Sequence, residues 1–241
     1  MLVSKQARKD AGESHRRENM GRIIALTNSK GGVGKSTVAV HLAAWCSEHG
    51  RRTALVDADA QGASSLWLHE AAPDIAVFRL QTADELLDQV PPLAAQFEVL
   101  VVDGPAGLSE VTRAILLVAH LALLPCGPSV LDLRAAQEAI RVVGQAQRIR
   151  GGPPQVALVP NKLQVQYRLT QELLATVQTL GVPVLSGLRL RQAYADAVGQ
   201  GTLVWRLGPR GLAASEEFSR LFEELKLHEY ETHDEPGAAN E

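Results

Sequence analysis

Residues 29–37 read Ser-Lys-Gly-Gly-Val-Gly-Lys-Ser-Thr, between an apolar run at 22–28 and a helical pattern that runs from 35 to 49 and stops at Gly50. Gly31, Gly32 and Gly34 let the backbone turn tightly, so that successive N–H groups face one concavity. The helix that follows adds the positive end of its dipole. A glycine-rich loop between a strand and a helix, closed by Lys-Ser, is shaped for a polyphosphate. Lys35 is placed to reach the β and γ phosphates, Ser36 to ligate Mg²⁺ through its hydroxyl, and Thr37 to bond the α-phosphate side.

Outward from the loop the chain repeats strand, turn and helix. Apolar strand runs are expected at 53–57, 75–80, 99–103, 121–125, 155–160 and 184–188, with helices over 109–119, 129–148, 168–180 and 213–227. Thr82-Ala83-Asp84-Glu85 is a capping box opening a further helix, which Pro91-Pro92 is expected to end near Val90. Continuous apolar strands alternating with helices predict an α/β fold, a doubly wound and mainly parallel sheet with helices on both faces.

Carboxylates follow at the strand ends. The run Val56-Asp57-Ala58-Asp59-Ala60-Gln61-Gly62 puts two acids at i and i+2, on the same side of a strand end. Strand 99–103 also ends in an acid, Asp103, which an apolar strand would deliver to a Mg²⁺ shell. The set points to Mg²⁺-dependent nucleotide hydrolysis, with Ser36 and Asp103 as candidate metal groups, Lys35 as a candidate catalytic group, and Asp57 and Asp59 placed to meet Mg²⁺ and an attacking water.

The general phosphate-loop pattern wants Gly five residues before Gly34, where this chain has Ser29. It has Lys30 instead, and the string Lys30 to Thr37 resembles the deviant Walker A loop of the ParA and MinD superfamily of P-loop NTPases. Short ParF-like ParA partition proteins are similar over residues 103–109 and 192–197. The resemblance implies that Gly31, Gly32, Val33, Gly34, Lys35, Ser36 and Thr37 hold the nucleotide, and that Lys30 reaches the nucleotide of a second subunit. It implies that Asp59 orients the hydrolytic water and that Asp57 supports Mg²⁺. Asn161, at the end of strand 155–160, is implied to pair with the adenine edge. Segment 124–132, with Ser129 and Asp132, resembles the family's stretch beside the γ-phosphate and the dimer face. Ala60 stands where the family has Pro, which loosens the switch and puts its hydrolysis rate in question.

By that resemblance the chain is an ATPase, with ATP and Mg²⁺ as cofactors, that closes into a homodimer on ATP, binds DNA non-specifically, and positions a plasmid, chromosome or other cargo. A ParB-like or other cargo-adaptor protein stimulates hydrolysis. Arg189, Arg191, Arg206 and Arg210 are the candidates for DNA phosphate contacts. Two rival readings are a MinD-like membrane-associated ATPase and a nucleotide-dependent adaptor with little turnover.

Composition limits these readings. The formal charge of -3 divides into a basic segment 1–19, an acidic segment 228–241, and 19 basic and 19 acidic side chains between them. A neutral body excludes a constitutive nucleic-acid binder with a large basic face, so DNA binding is expected to be conditional. One domain is expected over 20–227, flanked by a flexible basic extension and an acidic disordered tail. The acidic end also disfavours a membrane partner. No run is long and apolar enough for a membrane span and no secretory leader is read at the start, so the expected location is cytoplasmic, nucleoid-associated when ATP is bound. Cys46 and Cys126, far apart and outside any metal-binding spacing, are expected as buried free thiols.

Overall fold

A computed structural model describes residues 21–164 and 166–225; the basic segment 1–19 and the acidic segment 228–241 lie outside the described residues. Six strands form one parallel sheet in the order β3-β2-β4-β1-β5-β6, with β1 Arg22–Asn28, β2 Thr53–Asp57, β3 Ala76–Arg79, β4 Val99–Ala106, β5 Leu121–Cys126 and β6 Gln155–Pro160. Helices α1 Lys35–Glu48, α2 Ala63–Ala71, α3 Ala83–Ala94, α4 Glu110–Val118, α5 Val130–Arg150, α6 Arg168–Val177, α7 Gln192–Gly199 and α8 Leu212–Glu223 complete the fold.

Both sheet faces are covered, which is why the strands run as near-continuous apolar stretches and do not alternate, with polar residues such as Asn28, Asp57 and Asp103 toward their carboxyl ends. On β1, Ile24 and Leu26 pack with residues of α1, α2, α7 and α8, whereas Ile23 and Ala25 pack with residues of α3 and α4. Helix α5 continues the second layer over β5 through Val142, Val143 and Ala146. β1 lies between β4 and β5, so the loop that leaves its carboxyl end sits at the middle of the sheet edge, where ligands of open parallel sheets bind.

Four expectations are corrected. Pro91 and Pro92 do not end α3, which runs on to Ala94. Leu86, Val90, Leu93 and Ala94 form one buried face that holds the last turn in place, while Leu87, Asp88 and Pro92 are exposed and water can reach the backbone there. Segment 184–188 is extended but is no strand; it touches the sheet through a single bridge, Leu158 to Val184, and a second isolated bridge, Leu163 to Arg189, follows beyond the end of β6. Pro160 and Pro183 lack the N–H groups that a continuous ladder needs. Helix α6 stops at Val177 and tightens into a 3₁₀ turn, Gln178–Leu180, and α8 stops at Glu223, short of 227. Helices α2 and α7 were not expected. The N-terminal turn of α2 is capped from a distance: Ser65 N–H donates to Asp57 Oδ2 at 2.8 Å, so no local capping residue announces the helix.

The C-terminal layer is fastened to the loop helix by a buried histidine. His41 Nδ1 lies 2.7 Å from the Thr37 carbonyl, and Val204 N–H donates to Nε2 at 3.2 Å. These two bonds fix the neutral tautomer that carries its proton on Nδ1. Trp67, Trp205 and Phe218 surround the ring, with the Phe218 ring stacked at 4.4 Å. Burial pushes the His41 pKa down to about 4, with the Thr37 bond opposing. The unfolded chain therefore binds a proton that the folded chain refuses. This histidine's contribution to stability is complete above pH 6.5 and is lost as the pH falls toward 4, about 3 kcal/mol in all. Urea unfolding of the wild type and His41→Gln should show a gap that is widest at pH 7.5 and narrows by about that amount at pH 4.5; a constant gap would contradict this assignment.

Candidate functional site

The loop is held open from three sides. At the end of β1, Asn28 donates through Nδ2 to the Pro125 carbonyl at 2.7 Å and accepts from Lys30 N–H at 3.1 Å, which ties β1 to β5 and bends the chain into the loop. Ser29 Oγ donates to the Ala135 carbonyl on α5 at 3.3 Å. From the end of β6, Asn161 Nδ2 donates to the Val33 carbonyl at 2.7 Å, and Lys162 Nζ donates to the Gly32 carbonyl at 2.6 Å. Lys162 has a φ of 57°, the one positive value on a non-glycine residue among those described. Such a conformation is uncommon for a side chain of this size and clusters at functional segments.

Gly34 has a φ of 99° and stands at the N-cap of α1 without a side-chain cap. A Cβ there would collide with Asn161 Nδ2, so both conformation and space demand glycine. An uncapped helix start leaves the N–H groups of the first turn, at Lys35, Ser36 and Thr37, to an anion. Gly31 and Gly32 are exposed at the rim, while Val33 is buried and contributes its carbonyl to the Asn161 contact.

Beneath the loop lies a buried charged cluster. Asp57 and Asp103 are register partners on β2 and β4, both fully buried. Asp57 is satisfied by the switch backbone, with Asp59 N–H on Oδ1 at 3.1 Å and Ser65 N–H on Oδ2. Asp59 is half-buried and accepts from Gln61 N–H at 3.0 Å. Neither carboxylate oxygen of Asp103 has a hydrogen bond. Burial pushes its pKa up to about 7 and the Asp57 charge adds to this, while the nearby Ser36 and Ser64 hydroxyls and the Lys35 ammonium pull it back. Burial likewise holds Lys35 below the usual lysine range, against the raising effect of Asp103 and Asp59. Its ammonium donates to the loop's own Lys30 carbonyl at 3.2 Å.

An orphaned, desolvated carboxylate beside a hydroxyl and a second acid is the donor set of a hard, oxygen-seeking cation such as Mg²⁺. Among the described residues no group of three or more His, Cys, Asp or Glu side chains could hold a metal.

Lys30 stands at the mouth. Its ammonium lies 2.7 Å from Asp132 Oδ1 of the same subunit, and Ser129 Oγ donates to the other oxygen of Asp132 at 2.5 Å. Burial raises the Asp132 pKa, but the bonds from Lys30 and Ser129 outweigh it and hold the carboxyl below its ordinary range. Cys46 and Cys126 are both buried and free.

The site thus gathers Lys30, Lys35, Ser36, Thr37, Asp57, Asp59, Asp103 and Asn161. Asn161 spends one N–H on Val33 and its oxygen on the Lys162 N–H, so its visible duty is bracing the loop. Reading the sequence alone missed the roles of Asn28 and Lys162. An Asn that ends a strand just before a glycine loop is the available signal for the first; nothing local announces the second.

The four C-terminal arginines fall outside this cluster, and each faces an acid. Arg189 and Arg191 share the buried Glu217, Arg206 pairs with Glu48, and Arg210 lies 4.0 Å from Asp196. Arg191 makes two bonds to Glu217 Oε1, at 2.6 and 3.1 Å, and so has a structural task.

A parallel sheet carrying a glycine loop, an uncapped helix and buried acids defines a P-loop nucleotide-binding domain. The family profile described as the CobQ/CobB/MinD/ParA nucleotide binding domain matches residues 24–204, and the chain belongs to that family. It is 32% identical over 213 residues to the maintenance of carboxysome distribution protein A of Halothiobacillus neapolitanus, covering 86% of this chain and 97% of that protein. It is also 32% identical over 212 residues to the protein of the same name from Gloeobacter kilaueensis, covering 85% and 94%. Among solved structures, an ATP complex of Cyanothece McdA superposes with a TM-score of 0.74 at 16% identity, over 86% of this chain and 97% of that one.

The burial of Asp103 has a cost that can be measured without ligand. A raised carboxyl pKa means that folding loses stability as the pH rises from 3.8 to about 7, and the loss is complete above that. Asp103→Asn should therefore stabilise the ligand-free chain at pH 8, by at most about 4 kcal/mol in urea unfolding, and the gain should vanish below pH 4. No gain at pH 8 would contradict a desolvated carboxylate at this position.

Proposed function

We propose that this chain is a Mg²⁺-dependent ATPase that closes into a homodimer on ATP and positions a large protein compartment on DNA with the help of an adaptor protein. The observation that carries the chemistry is the convergence of Lys30, Lys35, Asp59 and Asp103 around one uncapped helix start. The loop N–H groups and Lys35 bind the phosphates, and Ser36 and Asp103 would hold the cation, with Asp57 behind them. Mg²⁺, when bound, offsets phosphate charge and orients the terminal phosphoryl group. Asp59 orients the attacking water and Asp57 shapes its segment through the Asp59 and Ser65 backbone bonds.

Lys30 is the switch. Paired with Asp132 it stays within its own subunit; a triphosphate carried by a second copy is a stronger anion, and reaching it would select the dimer. The names of the two relatives that align over nearly their whole length favour a protein compartment over a plasmid as cargo.

Membrane positioning is less well supported. No helix among the described residues is long and apolar enough to cross a membrane, and the apolar face of α8, with Phe218, Leu221 and Phe222, is buried in the core, where it cannot insert in lipid.

Asp59→Ala tests the switch. The expected outcome is loss of ATP turnover by a factor of about 100 or more, with an ATP-dependent dimer retained in light scattering. Turnover equal to wild type would favour a scaffold in which hydrolysis has no part. Binding of random duplex DNA should be strong with ATP and weak with ADP or no nucleotide; equal affinity in all three states would reject the proposal.

A further inference from the structure

The outer face of α5 carries a row of arginines that make no ion pair among the described residues. The buried face of this 21-residue helix is Ala135, Ala136, Ala139, Val142, Val143 and Ala146. Opposite it stand Arg134, Arg141 and Arg148, all exposed and spaced seven residues apart, which puts them in one line along the helix. Arg113 joins from α4, donating to Gln145 Oε1 on that same outer face at 2.8 Å. None of the four has an acid within ion-pair distance among the described residues, whereas Arg51, Arg52, Arg168 and the four C-terminal arginines each do. Glu138 is the one acid of α5 besides Asp132; it is exposed between Arg134 and Arg141 and pairs with neither.

We infer that this row is a contact surface for the phosphate backbone of duplex DNA. Successive arginines are about 10 Å apart along the axis and the row spans about 21 Å. A duplex carries a charge about every 1.7 Å of its axis with both strands counted, so a stretch of that length holds about a dozen phosphates, and the part of them turned toward the row is enough for one contact per arginine. Guanidinium forks match phosphate oxygens in a bidentate manner and need no particular base. The row lacks what a lipid surface requires. Its exposed large apolar side chains, Val130, Leu131 and Ile149, lie at the two ends of α5 and form no continuous stripe between them.

Placement couples the row to the nucleotide. Arg134 lies two residues after Asp132, the partner of Lys30, on the opposite side of α5, so the row begins in the helical turn next to the site. Closing two copies brings two rows into one particle and doubles the charge offered to DNA. This inference rests on the proposed ATP-dependent DNA binding and names its surface.

The test uses the full chain with ATP, a fluorescent random duplex, and a salt series from about 50 to 300 mM. The triple variant Arg134→Gln, Arg141→Gln, Arg148→Gln should lose at least about tenfold in affinity, and the log–log salt slope should fall by about 0.9 for each phosphate contact removed. ATP turnover and dimerisation should be unchanged, which shows that the fold survives, and Arg141→Gln alone should give about a third of the change in slope. The exposed-pair variant Arg168→Gln should leave the slope as it is. Wild-type affinity and slope in the triple variant would overturn the inference and leave the proposed function standing. A wild type that binds no DNA in any nucleotide state would overturn both. Flotation of the wild type, but not the triple variant, with phosphatidylglycerol vesicles and without DNA binding would reassign the row to a membrane.

Discussion

Asp103 sits within the central strand β4 with neither carboxylate oxygen bonded, next to a lysine that is itself desolvated. A desolvated carboxyl without a hydrogen bond is expensive in a protein interior, and a ligand that completes the arrangement accounts for its being kept here. Much of the surrounding structure follows from that constraint. The two acids are delivered by adjacent parallel strands in register, which requires a sheet buried on both faces. The glycine loop above them stays open because its first-turn amides have no side chain to bond.

An open loop has to be held from outside. Asn28 anchors it to β5 through the Pro125 carbonyl, and Asn161 and Lys162, just past β6, hold the loop's Val33 and Gly32 carbonyls. The bracing residues come from three strands that neighbour one another in the sheet, so the loop's shape is a property of the sheet order and not of its glycines alone. His41 extends the same linkage to the C-terminal layer by joining the Thr37 carbonyl to Val204. The nucleotide site is therefore mechanically continuous with the α2, α7 and α8 side of the molecule.

How much of this was legible in the sequence depended on how local each signal was. The loop, the first strand and helix, and the three acids could be read because strand, turn and helix follow one another without interruption from Arg22 to Glu48, because Asp57 and Asp103 close apolar runs, and because Asp59 follows Asp57 at i+2. The Thr82 capping box was legible for the same reason, and the structure contains both of its bonds. What escaped was non-local. The cap of α2 comes from Asp57, the survival of α3 past Pro91 and Pro92 comes from burial of Leu93 and Ala94, and the ion pairs of Arg189 and Arg191 come from Glu217 on a later helix. The arginine row on α5 was not singled out in the sequence: a heptad spacing of three arginines carries little by itself, and the lack of acidic partners emerges only when the neighbouring elements are in place.

The central claim is that paired lysines and buried acids form a site for a magnesium-bound adenosine triphosphate. Isothermal calorimetry of ATP into the purified chain, with and without Mg²⁺, tests it most directly. The account predicts saturable heat that Mg²⁺ strengthens and that Lys35→Ala removes. Absence of heat with ATP and with ADP in the correctly folded wild type would contradict it.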